Sequence, residues 1–359
     1  MAENSAIEWT DHTFNPWIGC TKVGPGCEHC YAEILATSRL AVEWGPGAPR
    51  RHTAASTWQQ PRRWDRKAAA AGSRQRVFCA SLADVFDNEV PAEWRAELFA
   101  LIRETPNLDW LLVTKRIGNA AKMAEAAGGW PSNVWLGATI VNQVEADRDV
   151  PKLLAISGVR YRFLSMEPLL GPVDLKRIRN AAEPGRPLNA LTGHQAITPA
   201  GGQGVGYYFS QDDEPVPMLD WIIVGGESGP GARPMHPDWA RSLRDQCASA
   251  GTPFLFKQWG EWAPVCAIDE NIVTDVQLYH PRLARHLPEG PRRCKVAQCV
   301  LHADGVRFDM GEWSNITTAI GDILPFQSGC GAMTMMAIGK ARADRLLDRV
   351  THDGSPVPR

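Results

Sequence analysis

The feature that most constrains this chain is a series of short apolar runs separated by amphipathic stretches. Residues 77–82, 108–114, 133–139, 162–166, 221–226 and 254–258 are each near-continuous in apolar side chains. Strands buried on both faces read this way, because neither face is left for water. Between them, apolar residues recur at helical spacing. The clearest case is 91–104, with Pro91 at an N1-like position and Trp94, Leu98, Leu101 and Ile102 on one face. Residues 117–127, 144–156 and 236–250 follow the same pattern. The last has Asp238 in its first turn and Gly251 just past its end. Alternating strand and helix predicts a parallel sheet with helical crossovers. With one more strand expected near the N-terminal cysteines, the fold class is α/β, a complete or partial (β/α) TIM-like barrel.

The chain has 359 residues and is 44% apolar and 22% charged, which suits one large domain with a substantial core. We expect a single domain over 1–359. Two segments interrupt its rhythm: an insertion at about 174–220, rich in Pro, Gly and acids, and an irregular extension from about 263. The tail, 350–359, is expected to fray. No stretch approaches a membrane span and the first ten residues hold no apolar signal core, so a soluble, cytoplasmic protein without a membrane partner is expected. The net charge of −2 excludes a general polycation, so nucleic-acid binding would need a local basic surface.

Nine cysteines do not suggest a disulfide framework in a chain of this size. Cys20, Cys27 and Cys30 stand together in GCTKVGPGCEHCY, a C-x6-C-x2-C spacing. A C-x2-C pair lets two thiolates converge, and the Gly-Pro-Gly turn can bring the third ligand round. Iron–sulfur clusters are held by such thiolates. Three cysteines would leave one iron of a cubane cluster open, as a catalytic metal requires. Structural zinc, with His29 or His12 as fourth ligand, and three free thiols are the alternatives. Cys266, Cys294, Cys299 and His302 could form a second site, but their spacing matches no strong pattern.

Barrel enzymes place working residues where strands give way to loops at the C-terminal face. Here those positions hold Ser81 and Asp84, then Lys115 and Arg116, Thr139 and Asn142, Ser165 and Glu167, Glu227, and finally Lys257, Gln258 and Trp259. A charge at nearly every strand end favours a shared site over simple capping. A basic stretch at 45–67 carries Arg62, Arg63 and Trp64 among other arginines. Basic groups neutralise phosphates and aromatic faces stack on bases. DNA or RNA is therefore a candidate partner; a solvated loop with core tryptophans is the plain alternative.

The stretches IEWTDHTFNPWIGCTKVGPGCEHCYAE, LLVTKR, NVWLGATIVNQ, RFLSMEPLLGP, DWIIVGGESGPGARPMHPDWARSLRDQC and PFLFKQWGEW resemble a phage- and bacteria-associated family of unknown function known for its three-cysteine motif. A cysteine loop followed by an α/β barrel is also similar to the radical S-adenosylmethionine superfamily. The spacing of that superfamily is usually C-x3-C-x2-C, and this loop is longer between its first two cysteines. The resemblance implies a [4Fe-4S] cluster on Cys20, Cys27 and Cys30, with S-adenosylmethionine as cofactor. It also implies an electron donor such as a flavodoxin or ferredoxin, and a 5′-deoxyadenosyl radical that abstracts hydrogen from substrate. On this reading Ser81, Asp84, Lys115, Glu167 and Glu227 are the candidate cofactor-binding residues. Arg62, Arg63, Trp64, Arg116, Arg233, Lys257 and Trp259 are the candidate substrate-binding residues. The expected function is modification or repair of a nucleic acid or nucleotide. Two alternatives are a metal-braced nucleic-acid-binding protein without radical chemistry, and a radical enzyme acting on a small molecule or protein.

Overall fold

A computed structural model describes residues 2–179, 185–197, 208–209, 217–268, 296–309 and 331–356. Its centre is an eight-stranded sheet. In chain order the strands are β1 (Ala2–Glu3), β2 (His12–Phe14), β3 (Gln75–Cys79), β4 (Leu108–Thr114), β5 (Val134–Thr139), β6 (Tyr161–Met166), β7 (Trp221–Gly225) and β8 (Phe254–Gln258). They lie side by side in that same order. β1 is antiparallel to β2, and every later neighbour pair is parallel. The predicted runs are all strands, and β2 is the extra strand expected near the cysteines.

The parallel strands curl into a half-barrel backed by helices. Helices α3 (Ala92–Glu104), α4 (Ile117–Ala126), α5 (Gln143–Leu154) and α6 (Pro237–Ala250) fall where the apolar periodicity predicts them. Asn142 caps α5 by accepting from the Glu145 amide, and His236 caps α6 by accepting from the Asp238 amide. Earlier in the chain, α1 (Tyr31–Arg39) and α2 (Gln60–Ala70) occupy the long crossover from β2 to β3.

Strand alternation sorts the core into two clusters. Val77, Leu112, Leu136, Leu164 and Val224 face the helices and join Leu98, Ile102, Val150 and Leu243. Their alternates Leu111, Trp135, Phe163, Trp221, Ile223 and Leu255 form a separate cluster on the opposite face. Trp9 and Tyr161 join it, so the curl is filled with aromatic rings at this level. Gly137 sits mid-strand because a Cβ there would lie 2.5 Å from the Phe163 ring.

The sheet does not close on itself, so the barrel is partial. The exposed edge of β8 is covered by the C-terminal segment. The Phe256 amide donates to the His352 carbonyl at 3.0 Å, and the Gly354 amide to the Phe254 carbonyl at 3.0 Å. The expectation of a frayed tail therefore fails for residues 350–354, because an open strand edge offers backbone partners. Within 174–220, Leu175, Ile178, Leu188, Ala190 and Leu191 are buried, so the described part of the insertion joins the core. Beyond 263, Ala263–Pro264, Gln298–Leu301, Arg307–Asp309 and Met333–Met336 build a small antiparallel sheet. Among the described residues, no helix is long and apolar enough to cross a membrane.

Candidate functional site

The cysteine loop extends the β2–β3 pairing past the strand ends. The Gly19 amide donates to the Leu82 carbonyl at 3.1 Å, which sets Cys20 beside the loop that follows β3. The chain then makes a single 3-10 turn at Pro25–Cys27, with the Cys27 amide donating to the Gly24 carbonyl. Cys30 is the N-cap of α1, and its side chain makes no capping hydrogen bond. All three cysteines line one cavity of about 550 Å³.

The opposite walls of that cavity are the C-terminal ends of the strands. Ser81 and Asp84 follow β3, Lys115 and Arg116 follow β4, and Thr139 ends β5. Ser165 and Glu167 come from β6, Gly226 and Glu227 from β7, and Lys257 and Gln258 from β8. Trp9, Phe78 and Val113 supply apolar surface. Tyr31 Oη donates to the Ser81 carbonyl at 3.0 Å and ties α1 to the β3 end.

The residues between Cys20 and Cys27 are docked rather than slack. A Cβ on Gly24 would meet Glu145 Oε1 at 2.8 Å, and one on Gly26 would meet Val141 Cγ1 at 2.7 Å. Arg233 Nη2 donates to the Pro25 carbonyl at 2.9 Å and Nη1 to Glu28 at 2.8 Å. The longer spacing therefore reaches the strand-end loops of β5 and β7.

The four acids of the cavity wall differ in what they have left to offer. Asp84 is buried and accepts from Thr114 Oγ1, the Phe86 and Lys115 amides, and Arg116 Nη1. Glu227 is buried and accepts from the Arg233 amide, Nε and Nη2. Glu8 lines the cavity from the N-terminal segment. Glu167 receives Lys257 Nζ on Oε2 at 2.5 Å, while its Oε1 is buried and has no protein partner. A buried unpartnered carboxylate oxygen is costly and is normally satisfied by an ordered water or a bound group.

Cys20 has its own environment. Burial pushes its thiol up to about 11, Asp84 adds to the rise, and Arg116 opposes it. A metal would stabilise the thiolate there. No group of three or more His, Cys, Asp or Glu side chains among the described residues is arranged to hold a single metal ion. Of the histidines weighed as a fourth ligand, His29 lines the cavity. His12 does not: it is buried, stacked on Trp64 and bonded to Gln75 Oε1 at 3.0 Å.

The structure thus brings Ser81, Asp84, Lys115, Arg116, Glu167, Glu227 and Lys257 to one cavity with the cysteines. Arg233 stands behind Glu227. Four other predicted substrate residues lie apart. Arg62 and Arg63 are on α2, where Arg62 pairs with Glu104 at 2.6 Å. Trp64 is buried in the core and offers no face to a base. Trp259 is also buried, edge-on to Phe256, with its indole N–H donating to the Leu346 carbonyl at 2.9 Å. The periodicity that would have assigned Trp64 inward is that of the α2 helix, masked by its flanking arginines. Of the proposed second metal set, Cys299 is buried and Cys266 exposed, whereas Cys294 lies outside the described residues.

Sequence reasoning passed over Asp87, Arg95 and Trp9. Asp87 accepts from Arg50 Nε at 2.9 Å, and Arg95 Nη2 donates to the Asp87 carbonyl at 3.0 Å. Arg50 Nη2 in turn donates to Thr21 Oγ1 at 2.8 Å. The signal was the second aspartate three residues after Asp84.

The sequence model of a family described as "Protein of unknown function (DUF5131)" matches residues 4–356. No curated protein matches the chain. Among solved structures, one match is a doubly substituted spore photoproduct lyase with bound AdoMet and dinucleoside spore photoproduct. It has 12% sequence identity and a TM-score of 0.34, and the match covers 67% of this chain and 73% of that one.

Proposed function

The chain belongs to the DUF5131 family of proteins of unknown function, and we propose that it is a radical S-adenosylmethionine-type iron–sulfur enzyme acting on a nucleotide or nucleic acid. One observation carries this reading: Cys20, Cys27 and Cys30 line the same cavity as the polar C-terminal ends of six parallel strands. A metal that only braced a loop would not need to face those strand ends.

The residues fit a [4Fe-4S] cluster. The donors are soft thiolates, and each cysteine of a cubane binds a different iron, so the sulfurs need not converge on one point. Structural zinc needs four ligands around a single ion, and among the described residues no group of three or more His, Cys, Asp or Glu side chains is placed to hold one. When bound, the cluster and S-adenosylmethionine would together supply a 5′-deoxyadenosyl radical. The chain's own residues bind and shield. Glu167 Oε1 is the free buried carboxylate acceptor for the ammonium group of the cofactor, with Gln258 Oε1 a second, uncharged one on the same lining. Lys257 holds the other oxygen of Glu167 and fixes its direction. Thr139 and Ser165 offer hydroxyls on the same wall. Trp9, Phe78 and Val113 exclude water from the inner side.

Lys115 and Lys340 line the cavity and support an anionic substrate such as a nucleotide, whereas Lys22, Lys257 and Arg116 on the same lining are paired with Glu33, Glu167 and Asp84. That support comes from the cavity and not from the basic stretch at 45–67. Anaerobic reconstitution with iron and sulfide tests the proposal. The expected result is a brown protein carrying one cluster that cleaves S-adenosylmethionine when reduced. A colourless protein holding stoichiometric zinc would overturn it.

A further inference from the structure

We propose that Arg116 is a positioning residue for Cys20 whose hydrogen bond to the sulfur raises the reduction potential of the cluster; this rests on the cluster of the proposed function. Arg116 Nη1 lies 3.4 Å from Cys20 Sγ, and Nη2 donates to the Thr21 carbonyl at 2.8 Å. One guanidinium thus grips both the ligand and the backbone just after it.

The grip is itself held. The Arg116 side chain is 9% exposed, and Nη1 also donates to Asp84 Oδ2 at 3.1 Å. Asp87 stands 3.8 Å from Nη2. Arg50, buried on the far side, binds Asp87 and Thr21 Oγ1. Two arginines therefore clasp the start of the cysteine loop, with Asp84 and Asp87 between them. Glu89 also pairs with Arg50, at 2.6 Å, so the set carries no excess of positive charge. What reaches Cys20 is then mainly a directed N–H donor in a site that excludes water.

Cys30 differs, since its side chain has no capping partner. The three cysteines are therefore unequal, with Cys20 the guanidinium-bonded one. Hydrogen bonds to cluster sulfurs favour the reduced state and raise the potential. A cluster bonded in this way accepts an electron more readily than one held by three bare thiolates.

The test is a redox titration followed by electron paramagnetic resonance on the reconstituted full-length protein. Wild type is compared with Arg116→Met, Arg116→Lys and the double variant Arg116→Met/Asp84→Asn. The double variant avoids leaving the Asp84 charge unpaired. Arg116→Met is expected to shift the midpoint to more negative potential and to change the signal shape. Arg116→Lys, which keeps the charge but loses the planar fork, should fall between. The same negative shift in the double variant supports the inference if the single variant does not fold. A variant that keeps the wild-type melting profile but binds less iron supports the positioning role. Equal potentials in wild type and variants overturn the inference and leave the cluster reading intact. Loss of fold in both Met variants also overturns it, because Arg116 is then only structural. Wild-type protein that takes up no iron overturns the cluster reading instead.

Discussion

Arg233 Nη2 lies 2.9 Å from the carbonyl oxygen of Pro25, although the two residues are 208 positions apart. The same guanidinium donates to both oxygens of Glu227, so the loop after β7 holds the turn between Cys20 and Cys27. Pairing with Glu227 raises the Arg233 pKa against the effect of burial. Arg233→Met should leave the Glu227 carboxylate, 5% exposed, without its counter-charge. Breaking a buried pair costs about 3–5 kcal/mol, and the partial exposure of Arg233 lowers this to about 2–3 kcal/mol. A urea midpoint lowered at unchanged slope would show it. Iron content after reconstitution should fall in parallel.

Gly226 is required by a close approach of two backbones. A Cβ at this position would lie 1.8 Å from the Trp259 carbonyl oxygen, and one at Gly260 would lie 2.1 Å from the Glu227 carbonyl oxygen. The Gly225-Gly226-Glu227 segment is thus a packed crossing between the ends of β7 and β8. Gly226→Ala has backbone rather than a flexible side chain in its way, so the cost should reach at least the upper part of the ~1–3 kcal/mol range for overpacking. Gly229→Ala, where nothing lies within 4 Å, would add only the strain of a positive φ of 94°. Paired thermal melts of the two variants should show the larger loss at 226.

The strands and the main helices were legible because their periodicity is local. Leu111 and Leu112 fall on opposite faces by alternation alone, and they join different core clusters. The strand-end polar residues were legible for the same reason: parallel strands put their C-terminal ends on one side. Their roles were not. Asp84 looked like a free carboxylate in sequence, yet it is saturated by Thr114, Arg116 and two amides. Sequence spacing cannot show which long-range donors will find an acid. Trp64 misled in the opposite way. Its arginine neighbours suggested a basic face, but one turn of α2 carries Arg63 and Trp64 in different directions, and only Trp64 is buried in the core.

His236 gives a pH dependence with a defined sign. Its side chain is 1% exposed, and its Nδ1 accepts from the Asp238 amide at the start of α6. Burial lowers its pKa from the ordinary 6.5, and Asp238 opposes the shift only in part. Below that ordinary value the unfolded chain binds a proton that the folded chain resists. Stability from this group is therefore full above pH 6.5 and is lost as pH falls toward the lower folded pKa. Protonation would also remove the cap acceptor. His236→Asn keeps an acceptor at the cap and cannot titrate. Denaturation midpoints measured from pH 7.5 down to about 5 should fall more steeply in wild type than in this variant. Parallel curves would remove His236 as the cause.

Glu167 carries the sharpest binding prediction. Its Oε2 is taken by Lys257, its Oε1 is buried and unpartnered, and its side chain is 16% exposed. Glu167→Gln keeps the shape of the side chain but removes the charge. A hydrogen bond to a charged group is worth about 1.5–3 kcal/mol, so S-adenosylmethionine should bind about 10- to 100-fold more weakly. Equilibrium dialysis with the labelled cofactor reads this directly, without turnover. Asp84→Asn should act differently. Asp84 has no free oxygen to offer a ligand, and the variant loosens Arg116 instead. Its loss should appear mainly in the melting temperature and in iron retention. If Asp84→Asn weakened cofactor binding as much as Glu167→Gln while keeping its stability, the assignment of Glu167 as the cofactor carboxylate would be wrong.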